Sequence, residues 1–239
     1  MKISEISQEY KYKSELHAHC KPVSRCGKFF AEEVVQIYSD IDCDTMVLTN
    51  HLTVAHKDEF PTVAEAAEYY LSDYYKALEA AKETGLAVVL GAELRFRDTV
   101  NDYLVYGICP DDIEKMLYYT DTDIHTFYRE FKNGKNVILQ AHPYRDRMEP
   151  TPLGSIDGVE TFNCHTGHNS RIPYACRLAR ENDLLVSGGS DFHEKGRHGT
   201  CLTRTKHKLC DSYDVAEAIK SRDFVFDIFG HIVLPYNYI

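Results

Sequence analysis

The chain has 239 residues, 12 of them histidine. Seven histidine and carboxylate side chains recur in a pattern that suggests metal chemistry: His17, His19, His51, Glu93, His142, Asp191 and His193. His17 and His19 are two apart, as are Asp191 and His193, so in extended chain each pair shares a face. Imidazole with carboxylate suits Zn²⁺, Mn²⁺ or Fe²⁺, and so many histidines do not suit a dedicated Ca²⁺ or Mg²⁺ cage. Seven donors exceed what one tetrahedral ion takes. Two or three divalent ions sharing a bridging carboxylate are therefore expected.

The elements that must position these groups are strand ends. Leu16 leads into His17 and His19, Val47-Leu48 into His51, Val88-Val89-Leu90 into Glu93, Ile138-Leu139 into His142, and Val186 into Asp191 and His193. A lone histidine at a strand end is usually a satisfied polar residue; recurrence at five strand ends is what points to a metal centre. Strands are expected at 15–19, 45–49, 86–90, 102–108, 137–140, 158–162, 184–187 and 224–228. Helices are expected at 31–39, 62 to about 84, 123–132 and 169–181, with a last one opened by Asp214 and Glu217 as a capping box. Thr62 and Glu65 form a similar box. Strands alternating with helices imply βαβ units around a parallel sheet. The expected fold is α/β, a compact barrel forming one domain over 1–239, with the strand C-termini meeting at one mouth.

The chain carries 37 acidic and 27 basic side chains, a formal net charge of −10. With no basic run it is not a general nucleic-acid binder, because phosphate contacts need clustered Lys and Arg. At 44% hydrophobic and 12% aromatic residues it can bury a sizeable core, which excludes disorder as the main state. No apolar run approaches the ~20 residues that span a bilayer. The N-terminal stretch lacks the apolar region of a signal peptide, so no membrane association and a cytoplasmic location are expected. The eight cysteines form no CxxC pair and are expected to be reduced thiols.

Taken in order, His17-Ala18-His19, Thr49-Asn50-His51, Gly91-Ala92-Glu93, Ala141-His142-Pro143 and Gly189-Ser190-Asp191-Phe192-His193 resemble the successive motifs of the polymerase and histidinol phosphatase (PHP) superfamily of metal-dependent phosphoesterases. The resemblance covers about 15–195, with 196–239 completing the barrel. It implies a distorted, TIM-like (β/α)7 barrel, a di- or trinuclear metal site and phosphoester hydrolysis. By that pattern His17, His19, Glu93 and Asp191 hold one metal, Glu93 bridges to a second held by His142, and His51 and His193 serve a third. The chain departs from the family at Asn50, where an Asp is usual, at Cys26, where an acid is expected, and at a further His, for which it offers Asp102 or Cys109.

Beyond the ligands, Arg145, Arg197 and His165 are the candidate substrate-binding residues, since guanidinium pairs well with phosphate. His193, Asp191 and Arg145 are the candidate catalytic residues. Lys195, His198 and His168 are weighed for the mouth, and Arg95 as a salt-bridge partner. His56, His125, His207 and His231 read as ordinary residues, and Tyr69, Tyr70, Tyr74 and Tyr75 as helix packing. The activity expected is hydrolysis of a small phosphomonoester by a metal-bound hydroxide, in the manner of a histidinol phosphatase. The alternatives are a phosphodiesterase or exonuclease, an amide hydrolase, and a non-catalytic metal-binding regulatory module.

Overall fold

The structure is a computed structural model that describes residues 3–236. In chain order the elements are α1 (Ile3–Glu9), β1 (Tyr12–Ala18), α2 (Ala31–Ser39), β2 (Thr45–Leu48), β3 (His51–Thr53), α3 (Val54–Glu59), α4 (Val63–Ala81), β4 (Ala87–Leu90), β5 (Ala92–Arg95) and β6 (Tyr103–Tyr106). There follow α5 (Pro110–Tyr119), α6 (Ile124–Phe131), β7 (Val137–Gln140), β8 (Gly158–Asn163), α7 (Ile172–Glu181), β9 (Leu185–Gly189), β10 (Cys201–Thr205), α8 (Ser212–Ser221), β11 (Val225–Ile228) and β12 (His231–Val233).

The Thr62 box opens α4 as expected: Glu65 N donates to Thr62 Oγ1 at 3.2 Å and Thr62 N to Glu65 Oε2 at 3.1 Å. The second box is corrected by one turn. Asp211 caps α8, accepting from Asp214 N at 2.8 Å, so Asp214 lies inside the first turn. Helix α5 is not among the expected elements, although Pro110 at its first position and Asp111 and Asp112 in its first turn are helix-start signals; the cap itself is Cys109, a poor capping side chain. Strands β3, β5, β10 and β12, with helices α1 and α3, are the other elements that the hydrophobic runs do not show.

The strands form two six-stranded sheets, β12-β11-β10-β1-β2-β4 and β3-β5-β6-β7-β8-β9, and not one ring of parallel pairs. Pairing is mixed: β1–β10, β10–β11, β11–β12, β5–β6 and β6–β7 are antiparallel. The C-terminal departure has a local cause. β11 and β12 are joined by the two-residue turn Phe229-Gly230, both left-handed at φ 50° and 84°, the tight hairpin that matches strand twist.

The two sheets meet at seams, and the seams carry the candidate donor residues. β2 pairs with β4 in the first sheet, and three residues later β3 pairs with β5 in the second, placing His51 opposite Glu93. At the other seam, Ala18 bridges to Phe192, just past β9. There the backbones run close: a Cβ at Gly189 would lie 2.5 Å from that of His17, so only glycine fits. Apolar side chains pack behind the seams, with Leu16, Val47, Val89 and Leu139 in one buried cluster and Leu52, Leu94, Val105 and Ile138 in another.

Candidate metal centre

All seven expected donors come together. Glu93 lies between four rings: its Oε1 is 3.4 Å from His17 Nε2 and 3.0 Å from His142 Nε2, and its Oε2 is 2.8 Å from His51 Nδ1 and 3.3 Å from His19 Nε2. Asp191 Oδ1 lies 3.5 Å from His17 Nε2, 3.3 Å from His19 Nε2 and 3.4 Å from His193 Nδ1. Candidate ligand atoms fall into three groups within 4.8 Å: His17-His19-Asp191, His19-His51-His193 and His51-Glu93-Asp102. Asp102 thus joins the centre, also standing 4.0 Å from His142 Nε2. Cys109 does not: it heads α5, where its backbone N donates to Asp112.

The supporting contacts leave one face of each ring inward. His17 Nδ1 is 2.8 Å from Glu160 Oε1, and His19 Nδ1 is 3.2 Å from Ser24 Oγ. Glu160 also accepts from His142 N at 3.1 Å and Asn163 Nδ2 at 2.9 Å. Buried polar atoms normally find a partner, yet His17 Nε2, His19 Nε2, His51 Nδ1 and Glu93 Oε2 are buried without a hydrogen bond. They stand within ion-pair reach of one another but misaligned for hydrogen bonding. Nitrogen lone pairs and carboxylate oxygens aimed at common points are what divalent cations require, so these residues fit such ions.

The electrostatics agree. Burial works against charge on His17, but Glu160, Asp191 and Glu93 together outweigh it and hold its pKa well above the ordinary value. A cation at Nε2 would replace the proton those carboxylates attract. Burial, with His193 and His51 alongside, pushes His19 well below the ordinary value, leaving a neutral ring. Glu93 and Asp191 are held well below the carboxylate range despite their burial, Glu93 chiefly by His51 and His17, Asp191 chiefly by His17 and Arg145. Two of the candidate donors also sit in strained backbone, with φ of 50° at Asp191 and 30° at His142. Such conformations cost of order 1–3 kcal/mol each and collect at functional sites.

Beside the candidate donors lies a cavity of about 380 Å³, lined among others by Arg95, Arg145, His165, His168, His193 and Arg197. Arg145 Nη2 reaches both Asp191 and, at 2.8 Å, Asn163 Oδ1, while its buried Nε has no partner. Gly167 N donates to His165 Nδ1 at 3.0 Å, and burial pushes that ring down to about 4. The ring is neutral at pH 7, with its proton on Nε2. Arg95 pairs with Asp102 through two contacts of 2.6 Å, as expected of a salt-bridge partner, and also faces the cavity. Lys195 and His198 are not among its lining residues. His125 contacts Ser155 instead.

Two residues at the site carry roles that the motif order does not show. Glu160 aligns His17 and the His142 backbone, and its signal was a charged residue inside the apolar run Gly158–Asn163. Lys28 lines the cavity from the loop before α2. Asn50 is support: its Oδ1 accepts from Cys20 N at 2.8 Å. Cys26 is exposed, and the desolvation of its sulfur is outweighed by hydrogen bonds to His193 and His51, which bring the thiol down to about 6.

No protein-family model matches the sequence, and no curated protein does either. Solved structures do match in fold. One is a protein of Bifidobacterium adolescentis provisionally named a metal-dependent phosphoesterase: 19% identity, TM-score 0.53, covering 88% of this chain and 96% of that one. Another is a two-domain protein of Bacteroides vulgatus containing a predicted PHP-like metal-dependent phosphoesterase, with 19% identity and TM-score 0.63. That match covers 91% of this chain and 64% of the other, less than two thirds of its length. A third, an amidohydrolase of Chromobacterium violaceum with bound sulfate, has 15% identity and TM-score 0.52 over 94% of this chain and 98% of that one. The chain thus shares its fold with two proteins named as metal-dependent phosphoesterases, one of them PHP-like, and with one named an amidohydrolase. No helix of the described residues is long and apolar enough to cross a membrane.

Proposed function

We propose that this chain is a metal-dependent phosphoesterase that hydrolyses a small phosphomonoester at a centre of two or three divalent ions. The observation that carries the reading is the set of buried, unpartnered donor atoms on His17, His19, His51 and Glu93. In this reading the two sheets are halves of a distorted (β/α)7 barrel, the chain is one domain, and the seams form its mouth. His17, His19, Glu93 and Asp191 would hold one ion, His142 would join Glu93 at a second, and His51 and His193 would serve a further position. Divalent ions held there would make a water nucleophilic at neutral pH and would supply positive charge for the phosphoryl oxygens.

The chain's own groups do the rest. Glu160 accepts the His17 Nδ1 proton and so keeps the Nε2 lone pair aimed at the centre. Arg145 and Arg197 bind the phosphoryl oxygens and offset the charge that grows there. Neutral His165 offers its Nε2–H as a hydrogen-bond donor at the same place. Asp191 and His193 would contribute to catalysis by holding those ions.

The test loads purified protein with Mn²⁺, Zn²⁺ or Fe²⁺, counts the ions by elemental analysis, and screens phosphorylated metabolites for phosphate release. Phosphodiesters and amides run alongside. At least two ions per chain and monoester hydrolysis are expected, with hydrolysis abolished in Asp191→Ala while the far-UV spectrum stays native. Stoichiometric metal without turnover would make the chain a binding module. Cleavage confined to diesters or amides would reassign the reaction.

A further inference from the structure

The loop between β1 and α2 is fastened to the centre on several sides. Ser24 N donates to Cys20 O at 3.0 Å, Gly27 N to Ser24 O at 2.9 Å, and Lys28 N to His193 O at 2.9 Å. Ser24 Oγ accepts from His51 N at 2.8 Å and meets His19 Nδ1 at 3.2 Å. The hydroxyl that orients two candidate ligands is therefore two residues from Cys26. As a result Cys26 Sγ stands 3.1 Å from His193 Nε2. The sequence alone left this turn free to point anywhere; the tertiary contacts point it inward.

Two further observations mark a ligand position there. A ring nitrogen of each of His19, His51 and His193 lies within 4.8 Å of the other two. His19 Nε2 and Glu93 Oε2, on side chains 0% and 1% exposed, stand 3.3 Å apart, and neither has a hydrogen-bond partner. The sulfur-to-nitrogen spacing is also suitable. Sulfur at 2.3 Å and nitrogen at 2.0–2.1 Å from one tetrahedral ion would be about 3.6 Å apart, so the two atoms, now 3.1 Å apart, need separate by only about 0.5 Å to share an ion.

We propose that Cys26 supplies a thiolate to a metal position shared with His51 and His193, so that this chain holds a thiophilic ion where an oxygen ligand would be usual. The inference rests on the metal-centre reading above. On coordination the thiol proton leaves to solvent and a sulfur electron pair enters the metal bond. Thiolate with imidazole favours Zn²⁺, Co²⁺ or Fe²⁺ over Mn²⁺, whose preference is for oxygen.

The test is titration of the metal-free chain with Co²⁺, followed by absorption spectroscopy. A sulfur-to-cobalt charge-transfer band in the near ultraviolet is expected, together with the visible bands of bound Co²⁺. Cys26→Ser should lose the charge-transfer band and keep visible bands from the remaining position. Cys26→Asp should likewise lose it and shift the Mn²⁺/Zn²⁺ preference toward Mn²⁺. Because Cys26 is exposed, these variants should fold, which circular dichroism checks. Alkylation mapped by mass spectrometry should slow severalfold at Cys26 when Co²⁺ or Zn²⁺ is bound. A band that persists in Cys26→Ser, or Co²⁺ bound with no such band in the wild type, overturns the proposal and leaves the hydrolase reading standing. Failure to bind Co²⁺ at all overturns both.

Discussion

Glu160 makes no contact with a substrate in the proposed reaction, yet His17, His142 and Asn163 all lean on it. Partners of this kind orient ligand rings and typically account for 10–100-fold in metal affinity. Glu160→Gln should keep the fold, because glutamine fills the same space and retains an oxygen acceptor for the His17 ring. It should lower affinity at the His17 position by about that factor, measured by competition with a chelator. Unchanged affinity would show that the His17 ring is held by packing alone. His17 and Asp191 differ in kind from Glu160, since their loss removes donor atoms themselves.

At the scale of elements, the seams are where substitutions should reach the centre indirectly. Gly189 ends β9, and an added Cβ would meet His17 Cβ at 2.5 Å, a contact that only a shift of β1 or β9 relieves. Gly189→Ala should therefore cost about 1–3 kcal/mol and weaken metal binding, although no ligand is removed. Chemical denaturation and metal titration of one variant check both halves. Helix α4 acts on the other seam through Asp73, whose buried carboxylate accepts from Val23 N at 3.0 Å and lies 3.5 Å from Asn50 Nδ2.

That contact explains why this chain carries Asn at position 50. An Asp there would face the Asp73 carboxylate, whose pKa burial already raises. Asn50→Asp should destabilise the fold by about 1–3 kcal/mol at neutral pH. Each raised carboxyl binds protons more tightly folded than unfolded, so the loss should shrink as pH falls through the raised folded value toward about 4. Denaturation midpoints from pH 8 to pH 4, compared with the wild type, give the sign. A penalty that grows toward acid would exclude carboxylate repulsion as its cause.

For the whole molecule, the centre is a cost when it lacks cations. It gathers buried carboxylates and imidazoles whose polar atoms are not fully satisfied, and leaving such groups unpaired costs 1–3 kcal/mol apiece. Ions that bind only the folded chain stabilise it by mass action, about 2.7 kcal/mol at one hundred times the dissociation constant. For a chain of this size, that corresponds to roughly 5–10 °C in melting temperature. Calorimetry with and without chelator should show a shift of that order, reversed by adding metal back. The formal charge of −10 points the same way, because bound dications would cancel part of it.

The donor set was legible in the sequence because strand ends are local: an apolar run followed by His, Glu or Asp needs no knowledge of the rest of the chain. The same locality made β1, β2, β4, β7 and the helices α2, α4 and α6 readable from periodicity and caps. Sheet membership is not local. Whether 45–53 is one strand or two depends on which neighbour each half pairs with, and only the tertiary structure splits it into β2 and β3 and sets His51 opposite Glu93. Strand direction is settled in the same way, so mixed pairing stands where parallel units were expected. Glu160, Asp102 and the inward turn at Cys26 were decided there too, because a side chain's role at a seam depends on what the far strand brings to it. Sequence named the candidate donors, and packing decided which of them lie within reach of one another.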